Sequence, residues 1–366
     1  MEDNIKKFAG LMELVLQASP FVRQRFQKAF IILNPKAGGL RNPHIIKHFI
    51  RVFESRLYAD NKKHHTDATI LKVKRYTTEY EGQEEEITND IIKKEGKNNN
   101  GSELKLIVVC GGDGTSCKVS TALALASEAA PSDWVIFRLP LGTGNDGADA
   151  GNAEEAAIIL WDNGVITRTG AVRVQTAAGL NLFAFNIFSM GMDAFITYLT
   201  NKFKRIFPGD FYKLMVDVST LFYEPLIGVN NTKLNFLIKD NLHRTEGRYI
   251  LIVVGASGLR SYGSGKLILP NDNNLCTVNT VGLIRKIKIR SLFYTGDHVG
   301  LPEVSMYKAD TLRIEYSGKV PIQVDGEPRW LKKEDFPLHV AVLPPFMRVL
   351  GNDAKNRKSS IAGQAR

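Results

Sequence analysis

The chain has 366 residues, 44% of them hydrophobic and 23% charged, which is the composition of a folded protein with about two domains. No apolar run reaches the roughly 18 residues that span a bilayer, and three cysteines without metal-ligand spacing argue against a disulfide or zinc framework. The net charge of +10 favours a polyanionic partner, although charge alone does not choose between nucleotides, nucleic acid and an anionic membrane.

The first part of the chain alternates predicted strands with predicted helices. A helical extension over 1–27 comes first, because its apolar residues recur at helical spacing. Short apolar runs predict strands at 28–33, 68–73, 104–110 and 134–139, and amphipathic stretches predict helices at 44–53, 83–94, 118–129 and 153–161. This alternation predicts an α/β domain with a parallel sheet over 28–165, for which 335–352 is a candidate final segment.

The pattern of predicted elements changes after about residue 166, where apolar segments follow one another with little intervening helix. Predicted strands include 182–188, 249–255, 283–289, 311–316 and 338–343, and one helical region is predicted over 193–226. Residues 166–334 therefore predict a β-rich, mainly antiparallel second domain. The polar tail 353–366 is predicted to be disordered.

Two glycine loops follow predicted strands of the parallel sheet. They are Gly111-Gly112-Asp113-Gly114-Thr115 and Pro140-Leu141-Gly142-Thr143-Gly144-Asn145-Asp146, and a third glycine-containing loop, Asn34-Pro35-Lys36-Ala37-Gly38, follows the first strand. Ligand sites lie at the carboxyl ends of parallel strands, so we expect all three loops to face one cleft. Glycines let backbone N–H groups approach phosphate oxygens closely, and a carboxylate such as Asp113 among them argues for a magnesium-nucleotide. A plain turn is the alternative for Asp113-Gly114, because Asp-Gly is common in turns.

These three loops and the later Val324-Asp325-Gly326-Glu327 occur in the order of the signatures of the diacylglycerol kinase catalytic-domain family, which the chain resembles. Weaker matches extend the resemblance over 28–345. It implies an ATP-binding α/β domain, a β-rich domain that receives a membrane lipid, and transfer of the γ-phosphate of magnesium-ATP to the hydroxyl of diacylglycerol or a similar lipid.

The resemblance also implies roles for individual residues. Asp325 is the expected general base, with Glu327 beside it in the catalytic set, and magnesium is expected near Asp113, Asp146 and Glu327. Nucleotide contacts are expected from Asn34, Pro35, Lys36, Gly38, Gly111, Gly112, Asp113, Gly114, Thr115, Gly142, Thr143, Gly144 and Asn145.

Two other functions stay open. Phosphorylation of a nucleotide such as NAD is one, because the Gly-Gly-Asp-Gly loop is shared with NAD kinases. A catalytically silent lipid or nucleotide sensor is the other, although such a protein would normally lose a site carboxylate.

The expected location is the cytoplasm, because Glu2 and Asp3 precede any positive charge and a secretory signal is not predicted. Peripheral contact with the inner face of an anionic membrane is expected through the stretch Lys202–Lys213, where basic and apolar residues interleave. A core helix with solvated lysines is the equal alternative there. The run Lys286, Lys288 and Arg290 instead predicts a half-buried strand without a functional role. No nucleic acid partner is expected, and a homodimer is left open.

Overall fold

The computed structural model describes residues 1–60, 71–96, 103–129, 133–142, 145, 147–203, 212–262 and 266–352. The chain forms two compact units, which divide after Thr169 and after Pro344. The first unit takes Met1–Thr169 together with the chain from Pro345, and the second unit takes Gly170–Pro344. The predicted tail 353–366 lies outside the described residues.

The first unit is an α/β structure in which helices alternate with parallel strands. Its elements are α1 (Glu2–Ala18), α2 (Pro20–Arg25), β1 (Lys28–Leu33), α3 (Gly38–Arg41), α4 (Pro43–Asp60), β2 (Lys72–Thr77), α5 (Gln83–Glu95), β3 (Lys105–Gly111), α6 (Asp113–Ala129), β4 (Trp134–Pro140) and α7 (Ala153–Ile158), which a π-helical turn continues over Ile159–Asn163. The strands pair in parallel in the order β2-β1-β3-β4. Arg348 and Val349 add a further parallel strand beside β4. The predicted α/β fold of this region is confirmed.

Helix α1 belongs to the core of the first unit. Its side chains Phe8, Met12, Val15 and Leu16 are fully buried, and it packs along α4. The rings of Phe8 and Phe49 meet edge to face, with centroids 6.1 Å apart. The predicted helical extension therefore forms and covers the sheet. Strand β2 begins at Lys72, later than the predicted 68, and residues 61–70 lie outside the described ranges.

An ion-pair cluster joins the end of α5 to two strands. Glu95 accepts hydrogen bonds from Lys28 of β1 at 2.6 Å and from Lys74 of β2 at 2.9 Å. These bonds lower the pKa of Glu95 from its ordinary 4.5 to about 2. The folded protein therefore binds fewer protons here than the unfolded chain does. The stabilisation is fully present above the ordinary pKa and is lost as pH falls through about 2.

We expect Glu95→Gln to lower the free energy of unfolding by about 1 kcal/mol at neutral pH, a modest value because Lys74 is largely exposed. Urea unfolding of the parent and the variant at pH 7 and at about pH 3 measures this difference. The difference should shrink at the lower pH, because Glu95 of the unfolded parent becomes protonated there while the folded protein keeps it ionised. A difference that stays constant with pH would contradict the ion-pair explanation.

The second unit is built mainly from antiparallel strands. Its elements are β5 (Gly164–Gln175, which enters from the first unit), β6 (Asn181–Ala184), β7 (Ile187–Gly191), α8 (Met192–Phe203), α9 (Tyr212–Ile227), β8 (Thr232–Ile238), β9 (Asn241–Gly247), β10 (Tyr249–Gly255), β11 (Arg260–Tyr262), β12 (Lys266–Leu269), β13 (Leu275–Asn279), α10 (Leu283–Ile289), α11 (Leu292–Thr295), β14 (Val304–Tyr307), β15 (Thr311–Tyr316), β16 (Val320–Val324), β17 (Glu327–Leu331) and β18 (Leu338–Asn352, which leaves into the first unit). The predicted antiparallel, β-rich fold is confirmed.

Two sets of strands share one apolar core in the second unit. One is a six-stranded antiparallel sheet in the order β14-β13-β10-β7-β16-β17, and the other contains β9-β8-β15 and the first half of β18. Phe188 and Ile252 of the first set pack with Phe236 and Leu312 of the second. Burial of these alternating side chains is the main stabilising contribution of such sheets.

The predicted strand at 283–289 is wrong, since this segment is helix α10. Over a segment of only seven residues, the spacing of its apolar side chains fits a strand as well as a helix. The tertiary structure selects the helix, because Lys286 is buried in an ion pair with Glu224 of α9 and Ile289, three residues later on the same helical face, is buried too. The predicted strand 182–188 is divided into β6 and β7, and the predicted helical region contains α8 and α9. No helix in the described ranges is long and apolar enough to cross a membrane.

Candidate functional site

Three loops of the first unit meet at the carboxyl ends of β1, β3 and β4. The N–H of Gly39, in the first turn of α3, donates to the carbonyl of Leu141 at 2.9 Å. A Cβ atom built on Gly142 would lie 2.8 Å from Cα of Gly112, and one built on Gly112 would lie 3.2 Å from Cα of Gly142. Backbone therefore lies against backbone here, and the glycines are required because a side chain has no room.

Helix α6 begins at Asp113, inside the second glycine loop, and not at the predicted residue 118. The N–H of Ser116 donates to the carbonyl of Gly112 at 2.9 Å, which closes the first helical turn. The first-turn N–H groups of Asp113, Gly114 and Thr115 therefore stand at a helix N-terminus, where an α-helix supplies no acceptor of its own. Such a terminus attracts anions through its N–H groups and its dipole. The arrangement fits a phosphate group of a nucleotide.

Asp113 organises the neighbouring loop. Its Oδ2 accepts the N–H of Asn145 at 2.8 Å, and its Oδ1 accepts the N–H of Gly147 at 3.1 Å. Asn145, which has a positive φ of 70°, in turn accepts the N–H of Gly142 at 2.6 Å through its side-chain oxygen. Asp113 thus holds the loop beside the N-terminus of α6. Its role in binding magnesium stays a prediction, as do the roles of Thr143, Gly144 and Asp146, which lie outside the described residues.

A buried carboxylate that the sequence analysis missed joins the first two loops. The side-chain amide of Asn34 donates to Thr115 at 2.9 Å and to Glu84 at 3.2 Å, and the hydroxyl of Thr115 also donates to Glu84 at 3.2 Å. Glu84 is only 3% exposed, and Lys118 lies 4.0 Å from its other oxygen. Within the sequence Glu84 is one of three consecutive glutamates at a helix start, which indicates a favourable first turn and no more.

The other first-loop residues predicted to contact the nucleotide are less enclosed. Lys36 is exposed, and its ammonium donates to the carbonyl of Glu79 at 2.7 Å. Pro35 is half-buried, and Gly38 is exposed at the start of α3.

Behind the third loop, Arg138 forms a two-point ion pair with Asp149, with distances of 3.0 and 2.7 Å. The pair fixes the positions of the end of β4 and of the end of the loop. No pattern in the sequence predicts this pair.

Asp325 and Gly326 form the two-residue turn of the β16–β17 hairpin in the second unit. Both have positive φ, 46° and 89°, as in the Asp-Gly turns that favour hairpins. The Asp325 carboxylate accepts backbone N–H groups of Phe185 at 2.6 Å and of Asn186 and Ile187 at 3.0 Å each. This residue therefore ties the hairpin to the start of β7. Glu327 is exposed at the first position of β17.

A second buried carboxylate of this unit is Asp193, at the start of α8. It accepts the hydroxyl of Ser189 at 2.8 Å, and Lys266 lies 3.9 Å from its other oxygen. Burial lowers the pKa of Lys266, and the charge of Asp193 opposes that shift. The two side chains line a cavity of about 60 Å³ among apolar neighbours. Cavities that hold small-molecule ligands are several times larger, so this space has room only for a few water molecules.

We expect Asp113→Asn to weaken ATP binding by about tenfold, because an amide offers one acceptor oxygen where the carboxylate receives two N–H groups. The NH2 group would then face the N–H of Asn145 or Gly147, and the loop would lose its fixed position beside α6. Isothermal titration calorimetry with ATP measures the affinity, and thermal unfolding checks that the fold persists. Parental affinity in a folded variant would contradict this role.

The described residues hold no group of three acidic, histidine or cysteine side chains placed to bind a metal ion. Both oxygens of Asp113 accept backbone N–H groups, but a carboxylate oxygen can accept more than one contact, so Asp113 stays a candidate ligand for magnesium bound with the nucleotide.

Comparison with known proteins gives matches along most of the chain. The diacylglycerol kinase catalytic domain matches residues 28–170, and the YegS C-terminal NAD kinase beta sandwich-like domain matches residues 186–351. A diacylglycerol kinase of Mycobacterium tuberculosis (strain ATCC 25618 / H37Rv) is 27% identical over 263 residues, which are 67% of this chain and 76% of the relative.

Two further matches agree with these. A diacylglycerol kinase of Staphylococcus carnosus (strain TM300) is 23% identical over 312 residues, which are 82% of this chain and 89% of the relative. The crystal structure of a diacylglycerol kinase from Bacillus anthracis strain Sterne shares the fold, with a TM-score of 0.54, 17% identity and coverage of 90% of this chain and 98% of that chain. The two domain matches together cover most of the chain, and the chain belongs to the diacylglycerol kinase catalytic-domain family, a family of phosphotransferases.

Proposed function

We propose that this protein is an ATP-dependent lipid kinase that phosphorylates the hydroxyl of diacylglycerol or a similar membrane lipid. It acts in the cytoplasm, in peripheral contact with the membrane. The observation that supports nucleotide binding is the contact of Gly112 with Gly142 beside the N-terminus of α6, where the first backbone N–H groups have no acceptor within the helix. Membership of the family supports the lipid acceptor.

In this proposal the first unit binds and orients the nucleotide. The N–H groups of the first turn of α6 donate to phosphate oxygens, and Asp113 keeps Asn145 and Gly147 in place around them. Magnesium, when bound with ATP, would offset negative charge on the transferred phosphoryl group. Asp146 and Glu327 are the further residues proposed to hold it.

Asp325 is the proposed general base. An alcohol is a weak nucleophile, and a carboxylate within hydrogen-bond reach accelerates its attack by accepting the hydroxyl proton. The three N–H groups that Asp325 accepts hold its carboxylate in one orientation at the tip of the hairpin. Glu327, two residues later, is exposed and belongs to the same proposed catalytic set.

Incubation with radiolabelled ATP and separate acceptors decides between the open functions. Diacylglycerol, a sphingoid base and ceramide are offered in mixed detergent micelles, and NAD is offered in solution. We expect label in the lipid fraction of at least one micelle sample. Label in NAD alone would establish the nucleotide-kinase alternative, and ATP binding without transfer to any acceptor would favour the sensor.

A further inference from the structure

Helix α9 buries Met215, Val216 and Tyr223 in the second unit and leaves another set of apolar side chains exposed. Leu214, Leu221, Phe222 and Leu226 recur at helical spacing along one face, and Phe222 and Leu226 are 50% and 68% exposed. The buried face also carries Ser219 and Thr220. The outward face of a surface helix is normally polar, unlike these four exposed apolar side chains.

Helix α10 also exposes apolar side chains, although it buries Ile289. Leu283, Ile284 and Ile287 are exposed, Ile284 by 73%, whereas Lys286 is buried. The buried ammonium of Lys286 pairs with Glu224 of α9, so the charge turned inward is neutralised. The apolar side chains turned outward have no such partner within the described part of the chain.

The two exposed faces form one surface. Two ion pairs join the helices, Lys286 with Glu224 and Arg290 with Asp217, and Leu221 and Leu283 line the same open groove between them. We call this the α9/α10 surface, and it consists of Leu214, Leu221, Phe222, Leu226, Leu283, Ile284 and Ile287. A contiguous exposed apolar patch of this kind marks an interaction site.

The charges beside the α9/α10 surface select the partner. Helix α10 contains Arg285, Lys286 and Lys288 and no acidic residue. Arg285 pairs with Glu303, whereas Lys288 is exposed and has no ion-pair partner among the residues in view. Bulky apolar side chains next to basic ones match the boundary between headgroups and acyl chains of an anionic bilayer.

We propose that the α9/α10 surface docks the protein on anionic lipid bilayers. The apolar side chains enter the acyl region just below the headgroups, and Lys288 lies against the phosphates of anionic lipids. The purpose of this docking, access to a lipid substrate, rests on the proposed function. The surface differs from the stretch Lys202–Lys213 expected from the sequence, of which residues 204–211 lie outside the described ranges.

The test measures binding of the full chain to vesicles without ATP. Vesicles of phosphatidylcholine alone and of phosphatidylcholine with phosphatidylglycerol are sedimented with the parent, with the triple variant Leu226→Gln, Ile284→Gln, Ile287→Gln, and with Leu242→Gln. Leu242 is a matched control, because it is 54% exposed on β9 of the same unit and outside the α9/α10 surface. All four side chains are exposed, so the variants should fold, which circular dichroism checks.

We expect the triple variant to lose at least about tenfold in vesicle affinity and Leu242→Gln to bind like the parent. Lys288→Gln should lose about fivefold on anionic vesicles only, an effect that high salt removes. Parental binding by the triple variant would overturn the proposal. So would a parent dimer that the triple variant converts to monomers with vesicle binding unchanged, because the surface would then be occupied by a second copy of the chain.

Kinase assays separate this proposal from the proposed function. If both hold, the triple variant keeps parental activity on lipid in detergent micelles and loses activity on lipid in vesicles. If the parent transfers phosphate to no lipid but binds vesicles through the α9/α10 surface, the docking proposal stands and the proposed function fails. A triple variant that keeps parental vesicle activity would overturn docking and leave the kinase function intact.

Discussion

Asp325→Asn should lower the turnover of lipid phosphorylation by about 10² to 10⁴-fold and leave ATP affinity close to that of the parent. The substitution keeps the size of the side chain and removes the proton acceptor. The variant should therefore lose turnover while it keeps its affinity for ATP. Steady-state turnover on the best lipid acceptor, with ATP affinity from calorimetry, measures the two effects separately. An Asp325→Asn enzyme with parental turnover would exclude Asp325 as the base.

The structure adds an effect on stability to this prediction. Asp325 accepts three backbone N–H groups, and an asparagine there would place its own NH2 group against at least one of them. A buried donor left without an acceptor costs about 1–3 kcal/mol, so the variant should also unfold at lower urea concentration. Turnover is therefore to be compared at a temperature where both proteins are fully folded.

Gly326→Ala is the matched control for the turn. Gly326 has φ of +89°, and a Cβ atom there would meet nothing within 4 Å. Alanine thus strains the turn by about 1 kcal/mol without a steric clash and leaves the Asp325 carboxylate in place. We expect Gly326→Ala to lose stability and keep most of its turnover. An equal loss of turnover in both variants would show that the hairpin matters for its shape and not for proton transfer.

Gly112→Val should abolish ATP binding, with a loss of at least about 100-fold in affinity. The first added atom would already lie 3.2 Å from Cα of Gly142, and the two methyl groups of valine extend further into the space between the loops. The loops must then separate, and the first turn of α6 is covered. Calorimetric titration should show no binding while circular dichroism shows an intact fold.

The control for this variant is Gly10→Val, on α1 of the same unit. A Cβ atom on Gly10 would meet nothing within 4 Å, so the substitution tests the cost of valine for glycine without a blocked contact. We expect it to bind ATP like the parent. If Gly112→Val also binds ATP like the parent, the assignment of this loop to phosphate is wrong.

Local sequence alone located several strands of this protein. The predicted strands 28–33 and 311–316 coincide with β1 and β15, and the prediction of 249–255 coincides with β10. Each is a short run of apolar or alternating residues, and such a run has one way to bury its side chains in a sheet. The glycine loops were found for a similar local reason, since glycine next to a strand end permits conformations that other residues resist.

Tertiary contacts decided the parts of the site that join distant residues. Glu84 holds Asn34 and Thr115 together across 50 and 31 residues, and Asp325 receives N–H groups from residues about 140 positions earlier. Neither pairing has a spacing that a sequence pattern could show. The same holds for α10, whose seven residues fit a strand or a helix equally until Lys286 meets Glu224. The energy of these contacts depends on which segments the fold brings together, and that information is not local.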